Sequence, residues 1–165
     1  MAGVFTTMSD LIGPELVHVG VEVASRDELL SLMAGRLQAN GRTRETFLQG
    51  LIDREANYPT GLPINGGVAI PHTDPEHVIN DSVSIATLST PVGFQEMAGT
   101  DDSEIPVDVV IMLALGGAEN HLDVLQQIIG SIQDAEFMAS LRASTSPSEI
   151  AALVKAKLGL ARPSL

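Results

Sequence analysis

The position of His72 is the strongest sign of chemistry in this sequence. It follows residues 68–71 (Val-Ala-Ile-Pro), an apolar run that ends at a proline with no N–H to donate to a β-ladder. The pattern predicts a strand that stops at Pro71 and presents an imidazole at an open sheet edge, where rigid scaffolds commonly carry function. Histidine supports acid–base, nucleophilic and metal-binding chemistry. A histidine that only hydrogen-bonds a nearby loop would fit the same pattern.

The other three histidines have weaker signals. His121 follows Asn120, the expected cap of an apolar helical pattern, and a helix N-terminus offers N–H donors that would attract an anion near a neutral imidazole. The same position is also compatible with a His121 that is only a polar residue of the first helical turn and has no partner. His77, five residues after His72, is either a support for that site or an exposed loop residue. His18 alternates with valines in an expected edge strand, so we place it on a polar face and assign it no function.

The residue types give little support for a metal site, a serine hydrolase or a nucleotide-binding site. The chain has no Cys, so a zinc site would need His72, His77, His121 and a carboxylate to converge. Pro75 prevents a continuous helix between the first two. There is no Gly-x-Ser-x-Gly nucleophile elbow and no glycine-rich phosphate loop ending in Lys-Ser/Thr. We therefore expect no metal, no nucleotide and no other cofactor.

Charge and composition limit the partners. The 165 residues include 21 acidic and 9 basic side chains, a net charge of -12, which argues against nucleic acids and anionic membranes. No Lys or Arg occurs between Glu55 and Leu141, so an anion near His72 must use backbone N–H groups or a cation from elsewhere, of which Arg54 is the nearest in sequence. With no signal-like N-terminus and no apolar run long enough for a span, we expect a soluble, cytoplasmic protein without membrane insertion.

Hydrophobic periodicity predicts the elements that position these residues. Leu51 and Phe47, three and seven residues before Arg54, place the arginine on the core-ward side of a helix. Ser25 and Glu28 form a capping box, and Ser146 caps the last helix. Strands are predicted over residues 16–23, 68–70, 83–88, 91–94 and 107–115, and helices over residues 26–40, 44–57, 120–132, 135–143 and 146–158.

These elements predict the fold class. Residues 107–115 are apolar on both faces except at Asp108, which is typical of a central strand. Residues 97–106 are expected to form an acidic loop. Strands that alternate with helices predict an α/β sandwich with a mixed, mainly five-stranded central sheet flanked by helices. We expect residues 1–165 to form a single domain with its core at about residues 11–158.

Three short motifs, in this order and spacing, resemble a known family. They are residues 54–62 (REANYPTGL), residues 68–72 (VAIPH), and His121-Leu122 followed by Leu125. Together they resemble the type 2 enzyme IIA of the fructose/mannitol superfamily, the cytoplasmic phosphocarrier of the bacterial phosphoenolpyruvate:sugar phosphotransferase system. The resemblance extends over nearly the whole chain, from about residue 11 to residue 158.

The resemblance implies a role for each matched residue. His72 would accept a phosphoryl group on Nε2 from the phosphocarrier protein HPr and pass it to a cysteine of enzyme IIB, which serves the membrane enzyme IIC. His121 matches a second active-site histidine that lies against the phosphorylated one, and Arg54 matches an arginine near the site. The remaining candidates for phosphate binding or for support of the site are Glu55, Thr60, Thr73 and His77.

The residues after His72 resemble one branch of the family in particular. Fructose and mannitol members often have Gly after the Pro-His pair, whereas this chain has Thr73, followed by residues 74–77 (DPEH). That pattern, with residues 59–61 (PTG), resembles the galactitol-type branch. The nitrogen-regulatory type is also similar, and it offers the alternative of a phosphorylation-dependent protein-interaction module.

Overall fold

This computed structural model describes residues 11–97, 103–116 and 118–161, with only the backbone for residues 118–121 and 159–161. These residues contain five strands, five α-helices and two short 3-10 helices at Pro14–Leu16 and Pro75–His77. The strands are β1 (Val17–Val21), β2 (Gly61–Leu62), β3 (Val68–Ala69), β4 (Ser82–Gln95) and β5 (Glu104–Ala114). The helices are α1 (Arg26–Ala39), α2 (Phe47–Asn57), α3 (Ala118–Ile132), α4 (Ala135–Ala143) and α5 (Pro147–Ala161). No helix in these ranges is both long enough and apolar enough to cross a bilayer.

The strands form one mixed sheet in the order β1-β4-β5-β3-β2. The pairs β1–β4 and β3–β5 are parallel, and the pairs β4–β5 and β2–β3 are antiparallel. This confirms the predicted mixed five-stranded sheet and the central position of the most apolar strand, β5.

Helices cover both faces of this sheet. Val109, Ile111 and Leu113 of β5 belong to a core shared with α3, α4 and α5. The alternate residues Val110 and Met112 belong to a second core shared with α1 and α2. Because successive side chains of a strand point to opposite faces, two buried faces require the continuous apolar run that the sequence shows in this strand.

The one acidic residue of this run is neutralised by a helix. Asp108 accepts hydrogen bonds from Arg142 of α4, with distances of 3.0 Å to Nε and 2.9 Å to Nη2. Both side chains are about one-quarter exposed. A bidentate arginine–carboxylate pair has well-defined geometry, so this contact fixes α4 on the central strand.

The two predicted serine caps are confirmed. Ser25 Oγ accepts a hydrogen bond from the Glu28 N–H at 3.1 Å, and Glu28 Oε1 accepts one from the Ala24 N–H at 2.8 Å. Ser146 Oγ likewise accepts from the Glu149 N–H at 3.2 Å. These bonds satisfy N–H groups that a helix start leaves without an intrahelical partner.

The strand boundaries differ from the prediction where pairing between distant segments decides them. β4 is continuous over the two predicted segments, with an irregular register between Thr87 and Val92. β5 begins at Glu104, inside the predicted acidic loop, because that residue pairs with Gln95; residues 98–102 of that loop lie outside the described residues. The pair Gly61–Leu62 forms β2 within a stretch that lacks a strand pattern.

Three helix predictions also need correction. α3 begins at Ala118, so Asn120 lies within its first turn and is not the cap. The apolar stripes that periodicity predicts for these helices include Leu122 in α3 and Leu32 in α1, but the two side chains are 59% and 40% exposed. Periodicity defines an apolar stripe, but the contact with the sheet determines how much of the stripe is buried.

The prediction that His18 lies on a polar face is wrong. The residue is only 7% exposed, and its Nε2 has no hydrogen-bond partner among the described residues. Burial, helped by the nearby positive charge of Arg36, lowers the pKa of His18 below its ordinary value of 6.5. Since helices cover both faces of the sheet, alternation in an edge strand does not place every second side chain in water.

Replacing His18 with leucine is expected to stabilise the protein by about 1–3 kcal/mol, the usual penalty for a buried polar atom without a partner. Below about pH 6.5 the unfolded chain takes up a proton that the folded His18 resists, so the wild type loses stability as the pH falls from this value towards the lowered pKa of the folded state. The leucine variant lacks this loss. Urea unfolding at about pH 8 and about pH 5.5 measures the free energy of unfolding of the two proteins. The stability gained by the leucine variant over the wild type should be larger at the lower pH. A gain that does not depend on pH would contradict the prediction.

Candidate functional site

His72 lies at the carboxyl end of two parallel neighbouring strands. β3 pairs with β5 through Val68↔Val109 and Ala69↔Val110. One step further on, the Pro71 carbonyl accepts a hydrogen bond from the Leu113 N–H at 3.0 Å. The central strand therefore holds the backbone up to the residue before His72, whose own side chain is half-buried. Such a position combines a fixed backbone with access from solvent.

A backbone contact defines the tautomer of the His72 ring. Its Nδ1 lies 2.9 Å from the carbonyl oxygen of Ile70. A carbonyl oxygen can only accept, so Nδ1 carries the proton and donates it. In the neutral imidazole the lone pair is then on Nε2, because a neutral ring has one N–H and one unprotonated nitrogen. Nε2 is thus the nucleophilic atom of this ring.

A buried carboxylate lies behind the histidine. Glu55 of α2 is 1% exposed and Thr60 is 3% exposed. Glu55 Oε2 accepts from the Thr60 N–H at 2.7 Å, and Glu55 Oε1 lies 3.0 Å from the Thr60 hydroxyl. The same hydroxyl oxygen accepts from the Ile70 N–H at 3.2 Å. Hydrogen bonds therefore connect α2 with the residue whose carbonyl binds His72.

The environment of Glu55 shifts its proton affinity. Burial raises the pKa of Glu55 above its ordinary value of 4.5. The hydrogen bonds from the Thr60 backbone and hydroxyl, and the positive charge of Arg26, lower the pKa and oppose the effect of burial. Perturbed carboxyl groups are common at functional sites, and here the hydrogen-bond donors that stabilise the charged form, both from Thr60, belong to the network that reaches His72.

Arg54 reaches the loop that carries His72. Its Nη1 lies 3.3 Å from Asp74 Oδ1, two residues beyond the histidine, and its guanidinium lies 5.1 Å from the centre of the Tyr58 ring. The side chain is 38% exposed. The predicted core-ward orientation therefore applies to the neighbouring Glu55 more than to Arg54, which lies at the border between core and solvent.

Thr73 and His77 hold the same loop against α2. Thr73 is 5% exposed, and His77 Nδ1 lies 2.8 Å from Thr46 Oγ1. Both side chains approach Gly50 so closely that a Cβ there would lie 2.9 Å from Thr73 Oγ1 and 3.1 Å from His77 Nε2. An open cavity of about 300 Å³ lies beside them and is lined in part by Arg54 and Asp74.

Sequence reasoning missed two members of this arrangement, Gly50 and Asp74. The signal for Gly50 is a single glycine within a helical pattern, which often marks close packing. No pattern in the sequence pairs Asp74 with Arg54, because the two residues are 20 positions apart and the fold alone brings them together.

His121 lies in the first turn of α3, and its side chain is outside the described residues. α3 begins four positions after β5 ends at Ala114. Because β5 runs parallel to β3, the first turn of α3 starts from the sheet edge where His72 lies. The orientation of the His121 side chain towards His72 stays a prediction.

Within the side chains that the structure describes, no group of three or more His, Asp or Glu residues could hold a metal ion. His72 and His77 have separate contacts, the first with the Ile70 carbonyl and the second with Thr46.

Comparisons with known proteins agree with one another. The family model "Phosphoenolpyruvate-dependent sugar phosphotransferase system, EIIA 2" matches residues 10–157. Multiphosphoryl transfer protein 1 of Escherichia coli K12 is 32% identical over 152 residues, which are 90% of this chain and 17% of that protein, so the chain spans about one-sixth of that relative's length. The galactitol-specific EIIA component of the same strain is 29% identical over 126 residues, or 76% of this chain and 83% of that protein.

Solved structures have the same fold. The IIA–phosphorylated IIB mannitol complex of Escherichia coli matches with a TM-score of 0.70 and 24% identity, covering 88% of this chain and 97% of that chain. The nitrogen regulatory protein IIA-Ntr of Neisseria meningitidis matches with a TM-score of 0.71 and 24% identity, covering 89% and 98%. These likenesses confirm the α/β sandwich around a mixed sheet.

The Glu55 carboxyl group is expected to titrate above 4.5 in a ¹³C NMR titration, because burial dominates its pKa. Thr60→Val removes a hydroxyl donor that stabilises the carboxylate while leaving the site buried, so the pKa should rise further. Thr60→Ser keeps the donor and is the matched control, with a pKa close to that of the wild type. A lower pKa in the valine variant would contradict the assigned hydrogen bond.

Proposed function

The chain belongs to the EIIA 2 family of the phosphoenolpyruvate-dependent sugar phosphotransferase system, and we propose that it acts there by carrying a phosphoryl group on His72. Family membership supports a phosphocarrier role in sugar phosphotransfer. The finer proposal is that His72 receives the group from phospho-HPr in the cytoplasm and delivers it to a cysteine of a cognate enzyme IIB. Through enzyme IIB, the group would serve uptake by a membrane enzyme IIC.

The observation that carries the proposal is the hydrogen bond from His72 Nδ1 to the Ile70 carbonyl. With the proton held on Nδ1, the Nε2 lone pair attacks phosphorus in line with the bond to the donor nitrogen. An N–P bond forms at Nε2 while the donor N–P bond breaks, and the donor nitrogen keeps the electron pair. In the second step a cysteine thiolate attacks phosphorus and the electron pair returns to Nε2. The Nδ1 proton stays in place throughout.

Charge is the main obstacle to this transfer. A phosphoryl dianion enters a chain with a net charge of -12, and such a loose transition state depends on positioning and on charge stabilisation. Arg54 is the candidate cation, because its guanidinium already reaches Asp74 in the His72 loop. That ion pair is largely exposed, and exposed pairs contribute about 0–1 kcal/mol. Arg54 can therefore turn to a phosphoryl group at little cost.

The relatives support particular partners. One solved relative is a complex of a mannitol IIA with phosphorylated IIB, and we propose an equivalent IIB partner for this chain. The likeness to a galactitol-specific EIIA component, together with Thr73 after the Pro-His pair, supports a polyol similar to galactitol as the transported sugar.

The His72→Ala variant is expected to take up no phosphoryl label from phosphoenolpyruvate, enzyme I and HPr, because it lacks the accepting nitrogen. His18→Leu also removes one histidine but lies away from the proposed site, so it should be labelled like the wild type. ³¹P NMR of the labelled wild type should show phosphohistidine substituted at Nε2. Labelling of His72→Ala would overturn the proposal. Label that enters His72 but is not released to any enzyme IIB would favour the nitrogen-regulatory alternative.

The Arg54→Ala variant is expected to slow phosphoryl transfer about 10- to 1000-fold, by analogy with the loss of one charge-stabilising donor, about 2–4 kcal/mol. Lys155→Ala removes the same charge from α5 and is the control for net charge; it should transfer at the wild-type rate. Rapid-quench measurements with phospho-HPr give both rates. Equal rates for the two variants would remove Arg54 from the site.

A further inference from the structure

We propose that Glu55 and Thr60 are positioning residues that fix the tautomer of His72 through the backbone of Ile70, and that neither of them binds phosphate. This inference rests on the proposed function only for its kinetic consequence, since the tautomer is a property of the protein without any donor.

The direction of the hydrogen bonds is defined by the groups that take part. The Ile70 N–H can only donate, so the Thr60 hydroxyl oxygen is its acceptor at 3.2 Å. The hydroxyl proton then points to Glu55, whose two oxygens lie 3.0 and 3.2 Å away. The Thr60 N–H donates to the same carboxylate at 2.7 Å. Both oxygens of Glu55 thus act as acceptors for a single residue.

The network holds Ile70 from its N–H side, and β5 holds the next residue. The Ile70 carbonyl precedes Pro71, whose ring fixes its own φ and restricts the backbone of the residue before it. The Pro71 carbonyl is bound by the Leu113 N–H at 3.0 Å. Between these two anchors lies the Ile70 carbonyl that accepts from His72 Nδ1. Loss of the Thr60 anchor would let this carbonyl turn away from the ring.

Burial makes this anchor strong and keeps it away from phosphate. Glu55 and Ile70 are each 1% exposed, and Thr60 is 3% exposed. A buried hydrogen bond that is broken leaves polar groups that water cannot reach. The carboxylate is also a poor phosphate ligand, because both groups are negative. Its position behind Ile70 therefore suits support of the backbone.

The test reads the tautomer directly, by ¹⁵N NMR of the histidine side chains in the unphosphorylated protein. The wild type should show His72 with its proton on Nδ1. Thr60→Val, which fills the same space without a hydroxyl, should give a mixture of tautomers and about 10-fold slower phosphorylation, by analogy with the loss of a partner that orients a metal-binding histidine. Thr60→Ser should restore both properties.

Two further variants separate positioning from stability. Ser84→Ala removes another buried hydroxyl, which binds the Leu16 carbonyl at 2.8 Å, so it should lower the melting temperature but leave the tautomer and the rate unchanged. If Thr60→Val does not fold, Thr60→Cys offers a weaker acceptor of similar size and should give an intermediate tautomer ratio. A pure Nδ1–H tautomer in the valine or cysteine variant would overturn the inference, even if phosphorylation were slower. Labelling of His72→Ala would instead overturn the proposed function and leave the tautomer result standing.

Discussion

The hydrogen bond between His72 Nδ1 and the Ile70 carbonyl is the contact on which the site depends. A neutral imidazole has two nitrogens that compete for one proton, and only the unprotonated one can attack phosphorus. The Ile70 carbonyl resolves this competition because it accepts the Nδ1 proton and leaves the lone pair on Nε2. A carboxylate bound to Nδ1 would orient the ring as well, but under the proposed function it would also repel the incoming phosphoryl group. The protein keeps its carboxylate, Glu55, behind Thr60 and Ile70.

The fold supplies this backbone because β3 is held from two sides. Its parallel neighbour β5 is buried on both faces, so it forms a rigid support for residues 68–71. On the other side β2 pairs with β3 over only two residues, and Thr60 lies directly before β2. The shortness of these strands is useful here, since the ladder ends where the proline and the histidine must leave it.

Local patterns predict much of this structure, and contacts between distant segments account for what they miss. The central strand and the caps at Ser25 and Ser146 follow from periodicity and from the Ser-x-x-Glu spacing. The position of His72 beyond a strand follows from the Val-Ala-Ile-Pro run. β2 and the early start of β5 depend on pairing partners far along the chain, which no local pattern contains. His18 is misplaced for the same reason, since its burial depends on helices that pack over an edge strand.

The ion pair between Arg54 and Asp74 suggests how a phosphocarrier can avoid binding its phosphoryl group too strongly. A phosphocarrier must give up the group as readily as it accepts it, so binding the phosphorylated state more strongly than the transition state would slow delivery. Asp74 lies 3.3 Å from the Arg54 guanidinium in the structure, so under the proposed function it would compete with the phosphoryl group for that cation. Such competition would weaken binding of the phosphoryl group in the ground state and would leave the guanidinium beside the His72 loop for the transition state of transfer. An arginine without a carboxylate neighbour would bind the phosphoryl group on the histidine more firmly. Transfer of that group to a second protein would then be slower.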